Sequence, residues 1–195
     1  GGCQQFADLG RVEREVILEC LQLAVQAPTA SNNQDGLWVV ITDADKRAAI
    51  ADIYNSVGKD YLAHAATSTE DPQTRKVYES AAALTSILAD VPVHVIPCIE
   101  RRLEGVPLVA SASAWASIIP AAWSFLLALR SRGLGSVWTT LHLAKADEVA
   151  ELLGIPDTVT QVALFPVAYT IGTDFKPAVR PPVDTITSWN TWGDR

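Results

Sequence analysis

Methionine is missing from all 195 residues, and the chain opens on Gly1-Gly2-Cys3. Residues 1–10 are therefore expected to belong to a trimmed or foreign start. Cysteine is scarce: Cys3, Cys20 and Cys98 are far apart and form no Cys-x-x-Cys pair. This spacing excludes a disulfide framework and points to a reducing compartment, the cytoplasm. His64, His94 and His142 have no metal-ligand spacing, so no metal site is expected. Basic residues are outnumbered, 15 Lys and Arg against 22 Asp and Glu, for a net charge of −7. A chain of this sign is not built to bind nucleic acid. Arg130, Arg132 and Lys145 lie near one another but read as solvated helix ends. Phosphate-cradling Gly-x-Gly-x-x-Gly and P-loop patterns are absent, as is the Gly-x-Ser-x-Gly nucleophile turn. The longest apolar run, Ala112 to Leu129, is interrupted by Ser113, Ser117, Pro120 and Ser124. It reads as a buried central helix, and no membrane association is expected.

With 49% apolar residues over 195 positions, one domain covering the whole chain is expected. Apolar positions Val16, Ile17, Cys20, Leu21, Ala24 and Ala27 recur at helical spacing, so Val12–Ala27 is predicted to be a helix. Leu37–Ile41 reads as a strand and Ala44–Val57 as a helix capped by Asp43. Residues 59–90 read as one or two helices around the Asp71-Pro72 turn, and Val91–Ile96 as a strand. Glu100–Pro107 is a charged loop, and Ser111–Arg132 is a long helix ended by Gly133. Gly135–Leu141 reads as a short strand or extended turn, and Ala146–Leu153 as a helix closed by Gly154. Thr158–Thr170 reads as one long strand, in which Pro166 implies an edge position or a bulge. The alternation predicts an α+β sandwich around four or five strands. The tail, 172–195, is rich in proline yet carries Trp189 and Trp192, which should pack onto something, such as a partner subunit.

The stretch Ala27-Pro28-Thr29-Ala30-Ser31-Asn32-Asn33-Gln34 lies between the first helix and the first predicted strand. Small side chains, a hydroxyl and carboxamides form a sterically open arc of donors and acceptors, suited to the edge of a flat heterocycle. The same residue types also make ordinary helix-to-strand turns.

Two further segments complete a pattern. One is Gly133-Leu134-Gly135-Ser136-Val137-Trp138-Thr139-Thr140, after the Ala-rich helix. The other is Lys176-Pro177-Ala178-Val179-Arg180-Pro181-Pro182. In this order and spacing the chain resembles the nitroreductase family of flavin-dependent oxidoreductases, from about Val12 to Trp192. The resemblance implies an α+β, three-layer sandwich with a mostly antiparallel central sheet flanked by helices. It also implies a domain-exchanged homodimer, the tail 173–195 embracing the partner, with FMN at the subunit interface. NADH or NADPH would supply hydride, and nitroaromatics, quinones or similar small molecules would accept the electrons. Pro28, Thr29, Ala30, Ser31, Asn32 and Gln34 of one subunit would approach the flavin ring. Trp138, Thr139 and Thr140 would line it on the other, and Arg180, helped by Lys176, would hold the phosphate. A placed guanidinium suits a phosphate dianion on an acidic protein. Hydride transfer needs no protein acid or base, so no catalytic side chain is expected. The alternative readings are a surface charge for Arg180 and a core residue for Trp138.

Two departures stand out. Family members usually open with Arg-x-Ser-x-Arg, which binds the flavin phosphate and ribityl chain, whereas this chain reads Gly1-Gly2-Cys3-Gln4-Gln5 before Phe6. Losing one charged phosphate contact costs on the order of 2 kcal/mol, about thirty-fold in affinity. After Gln34, where Pro-Trp is common, stands Asp35-Gly36, expected to loosen the loop and to set a carboxylate near the site. The alternatives to an enzyme are a non-catalytic flavin-binding or storage protein on the same fold, and an unrelated α+β domain.

Overall fold

The computed structural model describes residues 6–172 and 177–194. Six strands and five helices follow one another as β1 (Phe6–Asp8), α1 (Arg14–Ala24), β2 (Gly36–Ile41), α2 (Ala44–Ser68), α3 (Pro72–Ile87) and β3 (Val93–Ile99). Then come α4 (Leu108–Ser131), β4 (Leu134–Ser136), α5 (Ala146–Leu153), β5 (Thr160–Gln161) and β6 (Phe165–Thr170). The sheet order is β1-β6-β3-β2, with β4 also on β6 and β5 also on β3, and every pairing is antiparallel.

Strand β3 shows why two helical layers form. Its side chains alternate between faces. Val93 and Val95 join α1 and α4 in one core with Cys20, Phe125, Phe165 and Val167. Ile96 and Cys98 join α2, α3 and α5 in the other, with Ile50, Tyr54, Leu84 and Val149. Both described cysteines, Cys20 and Cys98, are buried free thiols, and burial raises their pKa, that of Cys98 to about 12. They are poor nucleophiles at neutral pH.

Helix ends follow local chemistry. The Asp43 carboxylate accepts from the Lys46 amide at 2.9 Å to start α2, and that of Asp71 accepts from the Thr74 amide at 2.7 Å to start α3. Such caps satisfy amides that the first turn leaves orphaned. Gly133 and Gly154 follow α4 and α5 with φ of 75° and 70°, the left-handed conformation that ends a helix. Helix α4 is long and apolar enough to cross a membrane. It instead sets one face, including Ala114, Ile118, Ala122, Phe125 and Leu129, into the core.

Several boundaries differ from expectation. Helix α2 continues past Val57 through Gly58 to Ser68, because Leu141 packs over Gly58 where a side chain would otherwise stand. Strand β3 runs through Pro97 to Ile99, with Pro97 opposite Trp38 of β2. The stretch predicted as one strand over Thr158–Thr170 is divided into β5 and β6. Pro166 is not at an edge, since β6 lies between β3 and β4. Regular pairing with β4 stops at Ser136–Val167 and resumes only as the single bridge Thr139–Leu164. That gap lies beside Pro166, which has no amide to offer.

Candidate functional site

The loop after α1 is an organised turn. Ala30–Asn32 form one 3-10 turn, in which Ser31 and Asn32 adopt φ of 54° and 55°. Left-handed backbone is uncommon outside glycine and is tolerated best by Asn and Asp. Two bonds hold the turn locally, Asn32 amide to Thr29 O at 3.2 Å and Asn33 amide to Ala30 O at 3.1 Å. A third ties it to α4: the Ala30 amide donates to Ser117 Oγ at 2.9 Å, and that hydroxyl donates to Ser113 O at 2.8 Å. Gln34 Nε2 donates to Asn32 O at 3.2 Å and to Asn32 Oδ1 at 3.1 Å. Gln34 therefore orients the Asn32 carboxamide, and the Nδ2 donor of Asn32 has no partner among the described residues.

Asp35 does not loosen this loop. Its carbonyl accepts from the Glu100 amide at 2.8 Å, and its carboxylate is paired with Arg101. With its side chain only 15% exposed, Asp35 is a half-buried tie between the loop and the end of β3. The carboxylate expected near the site is there, but Arg101 offsets its charge.

The second segment lies elsewhere in the same chain. Trp138 packs edge-on against Phe165, with ring centroids 5.0 Å apart. Its partly buried indole also leans on the cluster of Ile99, Ala114, Ile118 and Val162, so it has a core role. Thr139 is buried, and its backbone exchanges two bonds with Leu164, at 3.2 and 2.8 Å. The buried hydroxyls of Thr139 and Ser136 find no partner among the described residues. Trp138, Thr139, Thr140 and Leu141 line a recess of about 200 Å³ with Tyr54 of α2 and Leu84 of α3. No residue of the 28–34 loop lines it. Both predicted segments approach the same stretch of α4, the loop through the Ala30 amide on Ser117 and Trp138 through Ala114 and Ile118.

Arg180 is exposed, and among the described residues its guanidinium reaches only Val179 O, at 3.2 Å. It meets neither segment, and the tail touches α3 through Gln73 Nε2 and Val179 O at 3.5 Å. Lys176, Cys3 and the Gly1–Gln5 stretch lie outside the described residues. Among the presumed helix-end cations, Arg132 pairs with Glu19 at 3.2 Å and Lys145 with Glu148 at 3.0 Å.

Three features escaped the sequence reading. Ser117 is the anchor of the loop; the signal available was Ser113 and Ser117 four apart in an apolar helix. Arg101 is the partner of Asp35, which only the β2–β3 register brings alongside. His94 and His142, 48 positions apart, are both fully buried and close enough to interact electrostatically. The His94 Nε2–H donates to Leu88 O at 2.9 Å, while its Nδ1 and both ring nitrogens of His142 are unpartnered among the described residues. Burial is the main cause holding each imidazole at about 4, below its ordinary value. Leu88 opposes and Arg47 reinforces the shift of His94, and His94 adds to that of His142.

An antiparallel sheet between two helical layers, with a polar loop at one end of its edge strand, defines a three-layer α+β sandwich. Residues 3–169 match the model of the Nitroreductase family, and the chain belongs to that family. Flavin-dependent oxidoreductase is thereby its coarse functional class. Solved structures agree on the fold. An iodotyrosine deiodinase bound to FMN and 3-iodo-L-tyrosine is 20% identical, with a TM-score of 0.74 over 98% of this chain and 95% of that one. A BluB-like flavoprotein from Clostridium difficile 630 is 20% identical, with a TM-score of 0.70 over 98% and 95%. The NADPH:FMN oxidoreductase from Vibrio harveyi, complexed with NAD+, is 18% identical, with a TM-score of 0.69 over 98% and 74%. By sequence, no curated protein matches significantly.

Proposed function

We propose that this protein is an FMN-dependent oxidoreductase that takes hydride from NADH or NADPH and reduces a nitroaromatic, quinone or similar small acceptor. The observation that carries the reading is the family match across residues 3–169. Bound FMN supplies the hydride-accepting chemistry, and the chain supplies binding, orientation and exclusion of water. The residues present fit this cofactor. Among the described residues, Asn32 holds out an oriented amide donor, the buried Thr139 hydroxyl has no partner, and the Arg180 guanidinium pairs with no carboxylate. Pro28, Thr29, Ala30 and Ser31 keep the approach to that donor narrow in side-chain bulk. Donors at the pyrimidine edge favour the anionic reduced ring.

The working unit in this reading is a homodimer in the cytoplasm. Two unpartnered apolar surfaces support it. Helix α4 exposes Ile119, Trp123 and Leu127 at four-residue spacing, and the tail exposes Trp189 and Trp192, the latter by 94%. Rows of large exposed side chains mark association surfaces. Deleting residues 173–195 should yield monomers or insoluble protein by size-exclusion chromatography. A stable, flavin-loaded dimer after deletion refutes the role of the tail.

One observation favours a second reading, a flavin-binding protein without turnover: the stretch Gly1–Gln5, where the resemblance would place Arg-x-Ser-x-Arg, holds no arginine. The deciding experiment is an absorbance spectrum from about 300 to 550 nm, followed by anaerobic NADH or NADPH. Flavin bands that bleach establish the reductase. Bands that persist establish the binding protein, and no flavin after reconstitution rejects both. Arg180→Gln should weaken FMN about tenfold or more in the same preparation, as loss of a charged phosphate contact requires.

A further inference from the structure

A second cavity, of about 650 Å³, opens at the other end of the sheet from the 28–34 loop. Its wall includes Arg11, Arg14, Arg47, Leu18, Val40 and Pro92. Strand β2 runs from Gly36, beside the loop, to Ile41, beside the cavity, a distance of about 17 Å at the usual rise per residue. A ligand here is therefore remote from the proposed flavin ring, and nothing in the flavin reading assigns this cavity.

The cationic groups are available and held differently. Arg47 is fixed: its Nη1 donates to Ala89 O and Val91 O, both at 2.7 Å, and its Nε to Thr42 O at 3.4 Å. Its Nη2 has no partner among the described residues. Neither Arg11 nor Arg14 forms a hydrogen bond or ion pair among them. The adjacent carboxylate of Glu13 accepts from the Tyr169 hydroxyl at 2.8 Å and is also felt by the Arg11 charge, without forming an ion pair with it among the described residues. Helix α1 starts at the same place, and Glu13 makes no side-chain cap to its first amides. The apolar side is equally plain, since Leu18 and Val40 stand 50% and 40% exposed beside the charges. Concentrating three guanidinium groups around an apolar wall, on a chain of net charge −7, selects for an anion with an apolar body. The volume lies in the range of small-molecule pockets.

We infer that this cavity is a binding site for an organic phosphate monoester, its phosphate on Arg11, Arg14 and Arg47 and its apolar body against Leu18, Val40 and Pro92. The inference does not depend on the proposed reaction.

Calorimetric titration of the full chain with phenyl phosphate tests it, after loading with one equivalent of FMN and removal of all unbound FMN, because free FMN is itself a phosphate monoester and would compete for the cavity. Phenyl phosphate should bind about tenfold more tightly than inorganic phosphate, because only the ester reaches the apolar wall. Arg14→Gln and Arg11→Gln should each weaken it about tenfold, while Arg180→Gln leaves it unchanged. Both arginines are exposed, so neither substitution endangers folding. Binding that is indifferent to Arg11 and Arg14, or lost with Arg180→Gln, overturns the proposal. So does binding that emerges only after Trp192→Ala, which would make the cavity the seat of a partner's tail.

Discussion

Lowering the pH from 7 to 5 should remove about 4 kcal/mol of folding free energy through His94 and His142, and His142→Leu should recover about half. The cause is burial. Each imidazole is held at about 4 in the folded chain, against 6.5 when unfolded. Between those values the unfolded chain binds protons that the folded chain refuses. Stability therefore rises with pH across the window and is lost as pH falls from 6.5 towards 4. At pH 5 each histidine contributes a deficit of about 2 kcal/mol, and at pH 7 only a few tenths. Urea titrations followed by circular dichroism at pH 7, 6 and 5 would read the effect. The difference between wild type and His142→Leu should widen steadily as pH falls. At pH 7 the variant should match or exceed the wild type, since neither ring nitrogen of His142 has a hydrogen bond to lose. Comparing the two proteins cancels the exposed carboxylates Glu13, Asp71 and Glu104, whose depressed values act in more acidic solution. Parallel stability curves from pH 7 to 5 would refute the reasoning.

Three other outcomes follow from packing and hydrogen bonding. Ser117→Ala removes the acceptor of the Ala30 amide and should cost about 1 kcal/mol in urea titration, with FMN affinity reduced several-fold in fluorescence titration. Gly58→Ala sets a methyl against the Leu141 side chain and should cost about 1–2 kcal/mol, with Leu141→Ala restoring much of the loss in the double variant. Arg101→Ala leaves the largely buried Asp35 carboxylate unpaired and should destabilise more than Asp35→Asn, with both compared by thermal melting.

Much of the fold is written locally. The period of Val16, Ile17, Cys20 and Ala24, the cap at Asp43 and the left-handed glycines 133 and 154 each act within a few residues, and each is found where local rules place it. What escaped depends on distant partners. Gly58 passes for a helix breaker until Leu141 is seen to cover it. Pro97 looks like a strand end, and Pro166 like the mark of an edge or a bulge, until the neighbouring register shows where their missing amides fall. The candidate site divides the same way. The small-residue and amide character of 28–34 is legible in the chain, whereas Ser117 reaches Ala30 across 87 positions and Arg101 reaches Asp35 across 66. The cationic cavity was illegible for the same reason, because Arg11 and Arg14 meet Arg47 only when β2 and β3 bring the ends of three elements together.

The end of the tail makes its own bonds. The Trp189 amide donates to Asp194 O at 2.7 Å, Thr191 to Trp189 O at 2.6 Å, and Gly193 to Ser188 Oγ at 3.1 Å. Asn190 and Gly193 supply the left-handed corners, with φ of 60° and 89°. The tryptophans thus sit on a tip whose backbone is folded on itself by its own hydrogen bonds. Fixing a backbone costs about 1–2 kcal/mol per residue, and here that cost falls on folding of the single chain. In the proposed dimer, capture of this tip would be a docking event, with a rate limited by encounter and orientation instead of by a disorder-to-order step.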